Sequence, residues 1–411
     1  MTQSTGLRIE HQCPQCGAPA ILEETDHLFT CGFCRVKSYL LSSVYHYLLP
    51  HSAPEGKELV YFPYWRFKGM LFSGTDNGIK YRIVDVSHQG ISSQYFPISV
   101  GLRSQTQKLR FVSPEAKGIF LRPHLPHGEV IQIIQERFSE DLPRPIYLQS
   151  FVGENLSILY SPFYVDTKIY DAVLNRPISS ELPDDFDITA MPGGPSDWRV
   201  QFIPAQCPDC GWDLEGQRDS LALNCSNCNS MWQSGKRKFM KLTFGHIPEE
   251  AGNVIYLPFW RIKAQISGIT LDSYADLVKV ANLPRVVQEK WKEQEFRFWS
   301  PAFKIRPQNF LAFSLNLTLS QPQEEVVKKL PEAPFYPVTL SIMEAVESLK
   351  LNLAGFVKPQ RTMLPEIPHT EITPKSFVLV YIPFREKGNE LTQPAFRLRL
   401  NKHLLSYAKN L

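Results

Sequence analysis

All eight cysteines of this chain fall in C-x2-C pairs, and the pairs form two sets with the same internal spacing. The first set is Cys13-Pro-Gln-Cys16-Gly17 with Cys31-Gly-Phe-Cys34, and the second is Cys207-Pro-Asp-Cys210-Gly211 with Cys225-Ser-Asn-Cys228. Fourteen residues separate the pairs in each set. A C-x2-C knuckle lets two sulfurs face one ion, and two knuckles joined by a short hairpin complete a tetrahedron with metal–sulfur distances of about 2.3 Å. Gly17 and Gly211, one residue past the second sulfur, suit the φ > 0 turn that closes a knuckle. Asn229 tolerates the same conformation after Cys228, whereas Arg35 after Cys34 fits it less well.

Three chemistries compete for these thiols. Two structural Zn2+ ions are the leading expectation, held by Cys13, Cys16, Cys31 and Cys34 and by Cys207, Cys210, Cys225 and Cys228. Four protein ligands leave no coordination position for water or substrate. A rubredoxin-like iron centre uses the same four-sulfur tetrahedron and is the alternative. Disulfides are disfavoured, because Met-Thr-Gln-Ser-Thr-Gly at the N-terminus lacks the basic and apolar regions of a secretion signal. His11 and His27 lie near the first set but are not needed once four sulfurs are counted. No cysteine remains as a nucleophile.

The remainder of the chain is also repeated. Val60-Tyr-Phe-Pro-Tyr-Trp-Arg-Phe-Lys68 returns as Ile255-Tyr-Leu-Pro-Phe-Trp-Arg-Ile-Lys263. The ribbons are displaced by 194 residues (Cys13 to Cys207) and these segments by 195 (Tyr61 to Tyr256). Arg110-Phe-Val-Ser-Pro114 matches Arg297-Phe-Trp-Ser-Pro301, a helical pattern over Glu129–Phe138 matches one over Ile342–Leu351, and Tyr160-Ser-Pro-Phe163 matches Tyr381-Ile-Pro-Phe384. This ordered recurrence predicts a tandem duplication. The expected fold is β-rich α+β, each half a four-cysteine ribbon followed by a small, mainly antiparallel β domain with one or two helices. The expected boundaries are a ribbon over 8–45, a β-rich domain over 46–176, a linker over 177–200, a second ribbon over 201–242 and a second β-rich domain over 243–411. A further helix is expected near Leu283–Glu293, and Thr75-Asp-Asn-Gly78 is expected to turn a hairpin.

Alternation along the repeated segment sends Tyr61, Pro63, Trp65 and Phe67 to one face and Phe62, Tyr64, Arg66 and Lys68 to the other. The internal proline predicts an edge strand or a bulge. Arg66, Lys68, Arg261 and Lys263 are candidate anion or partner contacts; the competing reading is a solvated or salt-bridged outer strand face. Lys236-Arg237-Lys238 is the densest basic run, read either as compensation of a negative thiolate centre or as a nucleic-acid contact. The formal charge is +3. Two zinc–tetrathiolate centres at about −2 each bring it to about −1, which supplies no global footprint for nucleic acid. His124-Leu-Pro-His127 with Glu129 is interrupted by Pro123 and Pro126 and reads as a surface loop. No apolar run approaches the ~20 residues of a membrane span. There is no nucleotide-binding loop, nucleophile elbow or dinucleotide fingerprint, and nothing nominates an enzyme.

The combination of C-P-x-C-G, C-x2-C and a following Tyr-x-Pro-Phe/Tyr-Trp strand resembles a group of bacterial double zinc-ribbon proteins. They are often labelled primosomal helicase-like, and some are linked to phage-shock-type or SPFH (stomatin-like) membrane proteins. The resemblance covers Cys13–Lys68 and Cys207–Lys263 and implies metal binding by the eight cysteines. The helicase label does not transfer, because motor motifs are missing. Members commonly add transmembrane helices, so a membrane role here would run through a partner, without insertion. The expectation is a cytoplasmic, non-enzymatic scaffold or adaptor that engages a protein partner. A nucleic-acid-binding ribbon protein is the first alternative, and a rubredoxin-like electron carrier the second.

Overall fold

A computed structural model describes residues 6–41, 44–101, 103–178, 182, 186–188, 191, 193, 198–249 and 252–408. In the first half, Arg8–Gln12 (β1), Pro19–Glu23 (β2), Leu28–Thr30 (β3) and Lys37–Leu41 (β4) form the ribbon, followed by Tyr45–Leu48 (β5). Two long strands dominate what comes next. Val60–Thr75 (β6) turns through Asp76-Asn77 into Gly78–Gln89 (β7), the expected hairpin, with Thr75 paired to Gly78. After short elements at Arg103–Thr106 (α1), Lys108–Phe111 (β8), Ile119–Phe120 (β9) and His127–Ser139 (α2), Ile146–Val165 (β10) returns antiparallel along β6. Ile169–Asp171 (β11) and Arg176–Pro177 (β12) close the edge.

The second half has Gln201–Pro204 (β13), Ala222–Cys225 (β14), Ser230–Ser234 (β15) and Phe239–Lys241 (β16) as its ribbon. Phe244–His246 (β17) and Val254–Ile266 (β18) follow, then Tyr274–Val280 (α3), Phe298–Pro301 (β19), Pro307–Ser320 (α4), Ile342–Glu347 (α5) and Leu349–Phe356 (α6). Ile372–Lys387 (β20) pairs antiparallel with β18, and Glu390–Gln393 (β21) and Leu398–Asn401 (β22) extend that sheet. The chain is therefore β-rich with some helices, in two halves each opened by a four-cysteine group. No helix among the described residues is long and apolar enough to cross a membrane.

Hydrogen bonds show which segments are equivalent. Pro63 faces Tyr160 across β6–β10, and Pro258 faces Tyr381 across β18–β20. The Trp65 indole donates to the carbonyl of Leu125 at 2.9 Å, and the Trp260 indole to that of Leu340 at 3.0 Å. Each carbonyl lies two residues before a helix, so α2 and α5 correspond, as the sequence repeat predicts. The Gly90 amide donates to Pro63, and the Gly90 carbonyl accepts from His124 and Leu125; Ala302 makes the same bonds with Pro258, Thr339 and Leu340. The strand before Gly90 (β7) is thus the counterpart of the strand before Ala302 (β19). This corrects the pairing of Arg110-Phe-Val-Ser-Pro114 with Arg297-Phe-Trp-Ser-Pro301. The first segment lies in β8, beside β1 and β5, whereas the second lies in β19, beside β18.

Two further expectations are revised. The proline-bearing strands β6 and β18 are not edges, since each is flanked on both sides. Pro63 instead sits where β7 leaves the flank and β9 arrives, so no ladder partner is deprived of an N–H there. The helix expected near Leu283–Glu293 is only a 3-10 turn at Glu289–Trp291, the regular helix being α3. Of the 177–200 linker, residues 179–181, 183–185, 189–190, 192 and 194–197 lie outside the described residues. Trp198 stacks on His46 with centroids 4.9 Å apart and donates to the Val44 carbonyl, so its end is packed.

The ribbons are built into the body of the molecule. Strand β1 pairs with β8, and β13 of the second ribbon pairs antiparallel with β4 of the first. Leu28 and Tyr39 share a small core with Ala205, Leu214, Leu223, Trp232 and Phe239. The turn end of β6–β10 enters the largest core, where Met70, Phe72, Leu148 and Val152 join Phe310 and Leu351 of the second half.

Candidate metal centres

Each knuckle is shaped by its own backbone. The Gly17 amide donates to the Cys13 carbonyl at 2.9 Å and the Cys13 amide to Ala18 at 2.8 Å; Gly211, Cys207 and Trp212 repeat this at 2.8 and 2.7 Å. Gly17 and Gly211 have φ of +71° and +74°, with nothing within 4 Å of an added Cβ, so backbone conformation selects glycine there. Arg35 at φ 64° and Asn229 at φ 52° close the other two knuckles. Arg35 adopts the left-handed turn despite its poorer intrinsic fit, because its amide closes the knuckle onto Cys31.

The sulfurs converge. Cys13–Cys34 and Cys16–Cys31 lie 3.8 and 3.7 Å apart, and Cys207–Cys228 and Cys210–Cys225 both 3.5 Å. Within each group all four lie inside 4.8 Å of one another. A regular tetrahedron with ~2.3 Å metal–sulfur bonds has sulfur–sulfur edges of ~3.8 Å, so both groups can take one ion each. All eight cysteines are free of disulfides. Amide hydrogens of Cys34 and Phe33 directed at the Cys31 sulfur hold that thiol down to about 6, which favours the thiolate a metal needs. In the second ribbon, Ser230 Oγ accepts from the Trp232 indole at 2.8 Å and lies 3.0 Å from the Cys228 sulfur. Its proton is therefore available to the sulfur, an outer contact that orients a ligand and that spacing alone did not reveal.

Neither neighbouring histidine joins a group. His11 stacks on Phe202 at 5.0 Å, and His27 on Tyr39 at 5.9 Å. His124, His127 and Glu129 are exposed and form no metal cluster among the described residues; the surface-loop reading is corrected for His127 and Glu129, which sit in the first turn of α2.

The candidate basic residues separate into three environments. Lys236, Arg237 and Lys238 are exposed on the turn between β15 and β16. Lys241, paired with Asp209 at 2.6 Å and lying over the Trp232 ring, is a cation set against Cys228 and Cys207. Arg261 lies over the Trp299 ring, and Lys263 pairs with Glu295; both are partly exposed. Arg66 and Lys68 correct the expectation of an outer face. They are 2% and 4% exposed, because the first ribbon covers that side of β6. Arg66 forms a charge-assisted bond to Glu24 and a two-pronged one to Asp85, both prongs at 2.9 Å, while Lys68 lies 3.8 Å from Glu24. Burial alone would raise the Glu24 carboxyl; the adjacent Arg66 and Lys68 outweigh it and hold the group below its ordinary value.

No family model, characterised protein or solved structure matches this chain.

Proposed function

We propose that the chain is a non-enzymatic scaffold of a reducing cytoplasm, in which two structural zinc ions brace two related β units so that their ribbons can hold a protein partner. The observation that carries this reading is the pair of four-sulfur cages with tetrahedral spacing, built on ribbons that pair with each other through β4 and β13. Four thiolates complete a zinc shell and leave no position for substrate, so the metal's contribution is to folding. Each ribbon also presents an exposed aromatic ring beside its cage: Phe33, between Cys31 and Cys34, is 72% exposed, and Trp212, two residues past Cys210, is 57% exposed. Rings of this kind supply the anchors of protein interfaces. The resemblance to bacterial double zinc-ribbon proteins points the same way.

Metal analysis with an absorbance spectrum tests the brace, and site-specific photocrosslinking from positions 33 and 212 tests the partner. Two zinc equivalents, a colourless protein and one crosslinked protein lost on Phe33→Ser or Trp212→Ser are expected. A red, reducible protein would establish the iron carrier instead. The exposure of Lys236, Arg237 and Lys238 supports a second reading, a nucleic-acid contact. That reading requires binding whose logarithm falls with log salt by about 2–3, and neutralising all three residues must remove the slope.

A further inference from the structure

Four buried polar atoms without a hydrogen-bond partner among the described residues belong to the lining of one cavity between the halves. It encloses about 340 Å³, near the lower end of ordinary small-molecule sites at ~300–1,000 Å³. Both ribbons and both β units contribute to its wall. Tyr45 Oη on β5, Asn155 Nδ2 and Ser157 Oγ on β10, and Glu344 Oε1 on α5 belong to residues that line it and lack a hydrogen-bond partner among the described residues. The Lys304 ammonium reaches the same space, spending one hydrogen on Asn155 Oδ1 at 3.2 Å. Such atoms, left unmet, destabilise a fold, and their convergence on one volume marks a recognition site more than a packing accident.

The backbone is bent to make this site. The register of β10 against β6 shifts between Val152 and Asn155, and Gly153 within the shift has φ +73°. A side chain at Gly153 would meet Met70 at 3.4 Å and Lys304 at 3.8 Å, so the irregularity brings the strand close to the lysine stem. Bulges of this type re-aim side chains next to binding sites. Glu344, whose charge acts on Lys304, commits Oε2 to the amide of Ser341 at the start of α5 and leaves Oε1 to the cavity.

Both signs of charge line the wall: the Lys304 ammonium lies among the carboxylates of Glu344, Glu24 and Asp219, and Glu347 lines the same space. Burial holds the Tyr45 hydroxyl above its ordinary value, so it keeps its proton. With the Asn155 amide and the Lys304 ammonium it forms a donor set suited to a carboxylate. Glu344 Oε1 only accepts, and suits an ammonium. Tyr47, Leu156, Leu221 and Met343 supply apolar wall between these groups.

We propose that this cavity binds a small zwitterion, a molecule with one carboxylate and one amino group such as a free amino acid, between the two halves. The carboxylate meets Lys304, Asn155 and Tyr45, and the ammonium meets Glu344. This goes beyond the scaffold reading and does not depend on which partner the ribbons hold.

The test uses the full zinc-loaded chain. Thermal shift and calorimetric titration are run with the standard free amino acids, β-alanine and 4-aminobutyrate, alongside acetate, ethylammonium and inorganic phosphate. At least one zwitterion is expected to raise the melting temperature and bind at ~1 mM or tighter, well ahead of the single-charge compounds. Lys304→Met, Glu344→Gln and the near-isosteric Tyr45→Phe are each expected to weaken it about tenfold or more, with zinc content unchanged. Should Lys304→Met fail to fold, Tyr45→Phe carries the test. No binding by any zwitterion at ~10 mM, equal binding by acetate or phosphate, or undiminished binding by Tyr45→Phe and Glu344→Gln would each overturn the proposal.

Discussion

Replacing Glu24 by glutamine removes one charge from the most deeply buried ionic cluster among the described residues. The Glu24 side chain is 3% exposed; one oxygen takes the Arg66 guanidinium, and the other lies 3.8 Å from Lys68. After the change Arg66 keeps its fork to Asp85, but Lys68 loses the ion pair it makes among the described residues. Breaking a buried pair from one side costs about 3–5 kcal/mol, because the surviving charge stays desolvated. The Asp85 fork and the amide oxygen left at position 24 put the expected loss at the lower end, about 3 kcal/mol. At ~2–4 °C per kcal/mol for a unit of this size, the melting temperature falls by roughly 6–12 °C. The assay is urea unfolding of the zinc-loaded chain at neutral pH. Adding Lys68→Met to Glu24→Gln is expected to recover part of the loss, since an apolar side chain replaces an orphaned cation. The pH dependence has a definite sign. The folded carboxyl is held below its unfolded value, so its contribution is complete above the ordinary carboxylate range and is lost as pH falls through the lower folded value. The parent should therefore lose more stability than Glu24→Gln on acidification below that range. A Glu24→Gln protein within ~1 kcal/mol of the parent, or a double variant that is worse by the full cost of both changes, would refute the reasoning.

Cys225→Ser, at a fully buried ligand, is expected to lower bound zinc from two equivalents to one and to unfold the second ribbon, read by metal analysis and by fluorescence of the buried Trp232. Gly245→Ala should cost about 1–3 kcal/mol, because the new Cβ would lie 2.5 Å from Val326 Cγ1 and 2.6 Å from the Val327 carbonyl oxygen. Gly32→Ala, with open space around it and no positive φ, is the control and should change unfolding by under ~0.5 kcal/mol. Trp65→Phe and Trp260→Phe should each lose a similar ~1–2 kcal/mol in denaturant unfolding, since each strands a backbone carbonyl that accepts an indole proton.

The two four-sulfur groups were legible because a knuckle is a local object: two sulfurs, a turn and a residue tolerant of positive φ all lie within five positions. Strand parity was legible for the same reason. Phe62 and Tyr64 do pack with the first ribbon, while Tyr61, Trp65 and Phe67 pack toward α2. What covers a face is not local. The first ribbon seals Arg66 and Lys68 through a carboxylate some forty positions away, and nothing in the alternation of β6 announces it. The Arg-Phe-x-Ser-Pro match misled because four shared residues carry less information than a network of backbone bonds. The α4 segment, inserted between Ala302 and Thr339, broke the spacing that would have exposed the error. The misplaced helix had a readable signal: Ser273-Tyr-Ala-Asp276 is a capping box, and its reciprocal bonds start α3. The cavity between the halves left no trace in any single segment, because its polar atoms arrive from separate strands and a helix.

Equal spacing within the two ribbons aligns Glu24 of the first with Arg218 of the second, and the two residues make different contacts. In the first copy, position 24 turns inward and neutralises Arg66, so the strand face beneath can be buried. In the second copy an arginine at that position could only repel Arg261. Arg261 accordingly lies over the Trp299 ring, where burial and the nearby Arg297 hold it below its ordinary value. Arg218 turns the other way. Its side chain pairs with Asp26 and donates to the Ile21 carbonyl at 3.1 Å, while its own carbonyl accepts from His27 and Leu28 at 2.7 and 2.8 Å. The same ribbon position thus fastens a ribbon to its own β unit in one copy and to the other ribbon in the second. Identical charges at this position in both copies would satisfy one of those contacts and forfeit the other, so the difference between Glu24 and Arg218 adds a polar fastening to the β4–β13 pairing and the cores the halves share.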